Sequence, residues 1–258
     1  MHVHHRALEL DAPGRLLLAA AIGERPETLM TLEQLHRGLC RATILGTPEA
    51  PLAAVIQPDA FPGDASAHGD DPDFLWSLLQ VLPDWESVET SATLAPALAE
   101  RISAATNRAC RLDEEIFYTL ERPVAGWSQP AVRRLAAADI PLMEAATDAL
   151  QMGDWRFGSA AVLLADGFAA GAMVAGELVA VGFTAARGER LADVGIVTRE
   201  DWRNRGYSTA AAALVCADIQ AAGLTPVWGT STDNLASQRV AAKLGFAEVS
   251  RRVYINLT

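Results

Sequence analysis

The stretch DVGIVTREDWRNRGYSTA, residues 193–210, joins an apolar run to an alanine-rich one through a turn bearing two arginines and a glycine. The first part, read with Leu191 and Ala192 before it, is β-capable, and the alanine-rich part reads as a helix running on past Val215. A helix start leaves its first amides without internal partners, and the helix dipole favours negative charge there. Gly206 lets the backbone turn tightly and approach a ligand closely. Arg203 and Arg205 add cationic donors, and Ser208 and Thr209 add hydroxyls, a set suited to a pyrophosphate. An ordinary exposed turn with a helix cap has the same composition, so the turn alone does not decide.

Its surroundings narrow the choice. Upstream lie FAAGAMV, LVAVGFTA and LADVGIVT, three apolar runs separated by the short turn-like links AGE and ARGER. They predict an antiparallel meander. Downstream, the helix opened by Gly206 ends near Gly223, PVWGT predicts a short strand, and a helix from about Asn234 to Lys243 closes at Gly245. FAEVSRRVYINL is a last strand candidate. The order of three strands, helix, strand, helix, strand is mixed α/β, and ligands commonly sit at strand-to-helix connections in such folds.

Three segments in this order resemble the GCN5-related N-acetyltransferase (GNAT) family. Arg203-Asn204-Arg205-Gly206-Tyr207-Ser208 matches its Gln/Arg-x-x-Gly-x-Gly/Ala loop, ADVGIVT precedes it as the expected strand, and DNLASQRVAAKLGF follows with the family's Asn-x-x-Ser and Lys-Leu-Gly-Phe. The resemblance is close over Asp193–Phe246. It implies a GNAT fold in the C-terminal half, acetyl-CoA as co-substrate, and transfer of an acetyl group to an amine. It further implies that backbone groups of Ile196, Val197 and Thr198 pair with the pantetheine arm. Amides from Arg205 through Gly206 and Tyr207 to Ser208 would hold the pyrophosphate, with Arg203, Asn204 and Thr209 also in the cofactor site, and Asn234 and Ser237 would reach the pantetheine or thioester region. For Asn234, a simple helix cap is the competing reading. The wording of TPVWGTSTDNLASQRVAAKLGF looks most like small-molecule acetyltransferases, including antibiotic self-resistance enzymes.

The chemistry needs a base for the ammonium and a partner for the departing thiolate. Asp193 is the first candidate base, at a strand position where the family often places an acid; an exposed or salt-bridged strand residue is the alternative. Many members carry a tyrosine acid four residues before the glycine of Lys-Leu-Gly-Phe, but here that position is Ala241. Ser237, Tyr254 and Tyr207 are the substitutes. Asp154, Trp155 and Phe157 in GDWRFG, with Trp228 in PVWGT, are candidates for an acceptor pocket, against the commoner fate of aromatics in a core. Glu177 reads as a solvated hairpin residue and Cys216 as a buried apolar one.

The rest of the chain bounds the answer. Residues 31–120 are dominated by helical patterns, TLEQLHRGLCRA, DPDFLWSLLQVL and LAPALAERISAATNRA, with Asp71 or Asp73 as an N-cap and one β-like run, LAAVIQ. The reading is therefore a smaller, helix-rich α/β domain over 1–122, compatible with a degenerate acetyltransferase half. A linker follows over 123–130, then a GNAT domain over 131–258. The formal net charge of −11 is concentrated in the first half and argues against a nucleic-acid partner. Leu16–Ile22 is too short to span a bilayer and the N-terminus lacks a secretory signal, so a cytoplasmic protein, monomer or homodimer, is expected. Cys40, Cys110 and Cys216 show neither disulfide nor zinc spacing. His2, His4 and His5 read as a polar terminus, and no metal is expected. A protein or peptide N-acetyltransferase and a non-catalytic acyl-CoA sensor remain as rival functions.

Overall fold

A computed structural model describes residues 7–152 and 159–258, and the chain divides into two compact units, Met1–Ile116 with Ser250–Thr258 and Phe117–Val249.

The first unit runs β1 (Leu8–Glu9), α1 (Ala12–Ile22), α2 (Leu29–Arg37), β2 (Cys40–Thr47), β3 (Ala50–Pro58), β4 (Asp64–Gly69), α3 (Pro72–Leu79), β5 (Ser87–Ser91), α4 (Ala95–Thr106) and β6 (Cys110–Thr119). The last strand of the chain, β12 (Ala247–Leu257), brings residues 250–257 back to lie between β5 and β6. Two cores support this sheet. Leu18, Leu32 and Leu35 of α1 and α2 pack on Ile44 and Ile56, while Leu75, Leu79, Leu98 and Ile102 of α3 and α4 pack on Val88, Val253 and Ile255. The unit is not helix-dominated. CRATILGT, DASAHG, SVETS and CRLDEEIFYT are all strands, and the helix expected over TLEQLHRGLCRA stops at Gly38, whose φ of +68° gives it a left-handed end.

The second unit runs β7 (Val132–Arg134), α5 (Ile140–Ala145), α6 (Thr147–Leu150), α7 (Ala160–Asp166), β8 (Ala169–Val174), β9 (Glu177–Arg187), β10 (Leu191–Thr198), α8 (Tyr207–Ala221), β11 (Thr225–Ser231) and α9 (Leu235–Leu244). The three expected strands form the antiparallel meander, and Ala175 and Gly176, both at positive φ, make the tight β8–β9 turn. Val132–Arg134 form β7, and Pro141 sits in the first turn of α5. α8 is buried along most of its length because its alanines sit directly on the sheet. A Cβ on Gly182 would come within 3.0 Å of the backbone of Ala211 and Ala212, so only glycine admits the helix there. Residues 123–130, read as a linker, are hydrogen-bonded to α8, α9 and the turn before α8.

One order of elements occurs twice along the chain: two or more helices, a three-strand antiparallel meander, a helix, a strand parallel to the meander's last, a helix, and then β6 the first time and β12 the second. In both, the parallel ladder is three pairs long. It covers Asp64↔Ser87 to Ser66↔Glu89 in the first unit and Leu191↔Thr225 to Asp193↔Val227 in the second.

Candidate active site

Past Asp193 and Val227, β10 and β11 no longer pair. β10 keeps its ladder to β9 as far as Thr198↔Ala180, so its β11-facing backbone groups over Val194–Thr198 lack a strand neighbour on that side. Ile196, Val197 and Thr198 line this opening, each half-buried. Among the described residues the buried Thr198 hydroxyl has no hydrogen-bond partner, which leaves it open to one from solvent or a ligand.

β10 leads into the turn. Arg199 binds Glu177 at 2.6 Å and Asp201 at 3.0 Å, tying the β8–β9 hairpin to a 3-10 turn over Glu200–Trp202. These two carboxylates raise the Arg199 guanidinium above its ordinary range. Glu177 is thus an ion-pair partner of the loop. Asn204 (φ +63°) and Gly206 (φ +80°) are both left-handed, which folds the backbone sharply into α8. No side chain caps that helix start. Arg203 and Arg205 are exposed. The Arg205 guanidinium stacks 4.4 Å over the Trp202 ring and donates to the Asp201 carbonyl at 3.2 Å, while Trp202 and Tyr207 pack on Ala172, Val179 and Ala180. The turn therefore presents open amides and cations on a stiff base. Ser208 is half-buried and Thr209 buried in the first helical turn.

Across the opening, Asn234 caps α9 by accepting from the Ser237 N–H at 3.1 Å, which leaves its own amide hydrogens to donate outward. Ser237 Oγ accepts from Trp228 Nε1 at 2.9 Å. An indole N–H can only donate, so the serine proton points elsewhere. Trp228 itself is 1% exposed and stacked edge-on to Phe246 at 5.5 Å. Its ring packs in the core with Ala241 and Leu244 of α9, and its N–H reaches Ser237. Ala241, at the usual tyrosine position, is fully buried.

Ala192, Val194 and Ile196 pack under α8, so Asp193 lies on the other face of β10 with Gly195 and Val197. It is half-buried, belongs to the last β10–β11 pair, and sits where the β9 register shifts. The extra residue of that bulge is Ala185 of β9, because Asp193 pairs with Ala186 and Val194 with Thr184, so β10 keeps its alternation.

The matching place in the first unit is closed. There Asp71 caps α3 through its own carboxylate, accepting from Asp73 N at 2.8 Å and Phe74 N at 3.3 Å. A fixed anion occupies the amides that α8 leaves open. Where β4 and β5 part, Arg252 of β12 bridges them by donating to the carbonyls of Ala67 (3.1 Å) and Glu89 (3.4 Å). Its Nε lies 2.8 Å from the Glu89 carboxylate, without hydrogen-bond alignment. Burial pushes the Glu89 carboxyl up to about 7, against the pull of Arg252, and holds the His68 imidazole down at about 3. Tyr254 also belongs to this unit, where its hydroxyl bonds Glu115 and burial raises it far above its usual range.

Other candidates fall away from the opening. Burial pushes the Cys216 thiol up to about 12, which keeps it an inert core residue. A cavity of about 350 Å³ lies between Leu135, Ile140, Leu164 and Phe168, with the Arg134–Asp218 pair beside it; none of the turn residues lines it. His2, His4 and His5, and Asp154, Trp155 and Phe157, lie outside the described residues. Among the described residues no group of three or more His, Cys, Asp or Glu could hold a metal ion, and no helix is long and apolar enough to cross a membrane. Sequence reading missed Arg199, Trp202 and Gln129. The Arg199–Glu177 pair is made by folding across 22 positions and leaves no local signal.

Comparison with known proteins agrees with this geometry. Solved structures of similar fold include a GCN5-related N-acetyltransferase-like protein from Streptococcus suis (TM-score 0.67, 16% identity, 96% of this chain and 99% of that one). A GCN5-related N-acetyltransferase from Kribbella flavida is similar (0.64, 18%, 95% of each chain), as is a tandem GNAT protein from the clavulanic acid biosynthesis pathway (0.60, 16%, 97% of each). No curated protein matches the sequence. The family described as GNAT acetyltransferase matches residues 87–253, well over half of the chain and all of the second unit. The chain belongs to the GNAT acetyltransferase family and is an acetyl-CoA-dependent N-acetyltransferase.

Proposed function

We propose that the second unit binds acetyl-CoA in the opening between β10 and β11 and passes its acetyl group to a primary amine of a small molecule, an antibiotic or metabolite. The observation that carries this reading is the contrast between the two repeats. The second keeps an uncapped helix start, an unpaired strand edge and the orphaned Thr198 hydroxyl. The first has a carboxylate cap and an arginine in the corresponding places. One acetyl-CoA site per chain follows. The tandem GNAT protein from the clavulanic acid pathway, of like fold, supports reading the first unit as a second GNAT copy.

In this reading the amides from Arg205 to Ser208 hold the pyrophosphate, the backbone of Ile196, Val197 and Thr198 holds the pantetheine arm, and Asn234 donates to its far end. The thioester supplies the acetyl group. Asp193, directly or through water, takes a proton from the incoming ammonium so that the free amine can attack the carbonyl carbon. As the C–S bond breaks, the Ser237 hydroxyl, aimed away from Trp228, donates to the departing sulfur. Holding the two reactants together supplies much of the acceleration.

The test is coenzyme A release from acetyl-CoA with aminoglycosides, polyamines, amino acids and short peptides as acceptors. Turnover confined to one small-amine class supports the proposal. Turnover with peptides alone would identify a peptide N-acetyltransferase, and tight acetyl-CoA binding with no acceptor would identify a sensor.

A further inference from the structure

Residues 120–131 form a strap along the second unit. Gln220 of α8 donates from Nε2 to the carbonyls of Leu120 (3.1 Å) and Arg122 (2.7 Å), and accepts from Val124 N at 3.1 Å. Trp127 Nε1 donates to the Lys243 carbonyl at the end of α9 (3.3 Å), and the Lys243 ammonium lies 5.8 Å from the Trp127 ring. The strap ends at the turn before α8, where Gln129 Nε2 donates to the Arg205 carbonyl at 3.3 Å, and then enters β7.

The peptide joining Arg205 to Gly206 is planar and trans, so its C=O and N–H point in opposite directions. Fixing the Arg205 carbonyl toward Gln129 therefore fixes the Gly206 N–H away from the strap, toward the open side of the helix start. Gly206 has a second reason to lack a side chain, since a Cβ there would lie 3.2 Å from Gln129 Nε2. We infer that Gln129 is a positioning residue for acetyl-CoA binding: it sets the peptide plane whose N–H faces the pyrophosphate. The strap thereby ties both ends of α8 to one segment, and the inference rests on the turn being the pyrophosphate site.

The experiment measures acetyl-CoA affinity by calorimetry and the ³¹P resonances of bound coenzyme A, for wild type, Gln129→Ala, Gln129→Glu and Arg203→Ala. Loss of one aligned donor is expected to weaken acetyl-CoA binding roughly three- to tenfold in Gln129→Ala. It should move the bound pyrophosphate resonances and leave the 3′-phosphate resonance in place. Gln129→Glu, which keeps the shape but presents no donor and adds a negative charge, is expected to weaken binding further. Wild-type affinity in both Gln129 variants, or weaker binding with unmoved pyrophosphate resonances, overturns the role of Gln129. If Arg203→Ala binds as wild type does and the wild-type pyrophosphate resonances do not move on binding, the turn itself is misassigned.

Discussion

In the first unit Glu89 is buried and His68 half-buried with its Nε2 enclosed, and the two have opposite consequences for the proton. Burial raises the Glu89 carboxyl from its ordinary 4.5 to about 7 and lowers the His68 imidazole from 6.5 to about 3. A raised carboxyl costs stability as pH climbs above 4.5, and a depressed imidazole costs stability as pH falls below 6.5. Between those limits the unfolded chain carries its one proton on histidine, and the folded unit carries its one proton on glutamate. The two states bind equal numbers, so the pair adds no slope to the pH profile. Glu89→Gln removes the folded state's proton. Stability should then rise with pH by roughly 1 kcal/mol per pH unit relative to wild type, on the order of 2 kcal/mol across the window. His68→Gln removes the unfolded state's proton, and the slope should reverse to the same size. Urea midpoints followed by far-UV circular dichroism at pH 4.5, 5.5 and 6.5 measure both, at fixed ionic strength. Three parallel profiles, or slopes of the same sign in the two variants, would refute the reasoning.

Asp193→Asn is expected to lower kcat by about 10²–10⁴ while leaving acetyl-CoA affinity within a factor of two or so, read by steady-state kinetics beside calorimetry. Thr198→Val removes a buried hydroxyl that has no partner among the described residues, so the free protein should keep or slightly gain thermal stability while acetyl-CoA binds more weakly. Trp228→Ala empties a fully buried site and should cost about 3–5 kcal/mol in urea unfolding; a loss below about 1 kcal/mol would contradict its place in the core.

The second unit was largely legible because its signals are local. A two-residue hairpin link, a glycine at a left-handed helix start, an Asn–Ser cap and a Gly at a helix end each constrain their own few residues. The first unit was not. DASAHG has the composition of a loop, yet it is β4, held by pairing to β3 and β5 that no local pattern announces. CRLDEEIFYT alternates poorly because Asp113, Glu114 and Glu115 find Asn256, Arg251 and Tyr254 only once β12 lies alongside. At the site, the turn and its arginines were readable from residue types alone. The bond from the Trp228 N–H to Ser237, made while the ring stays in the core, is one that residue type alone does not announce. Gln129 and Arg199 were invisible for a related reason, since each acts on a residue far away in sequence.

The strand order places β12 between β5 and β6, with Val253 and Ile255 completing the core under α3 and α4. During synthesis the first unit therefore emerges first and is finished last. Until residues 250–257 leave the ribosome, β5 and β6 have unpaired edges, the α3–α4 core is open on one side, and Arg252 is missing from the gap between β4 and β5. The nascent chain must carry that unfinished sheet through the whole translation of the second unit, a stage at which unpaired edges invite pairing with other chains. A premature stop near the C-terminus would thus do its damage in the half of the protein that had been made long before.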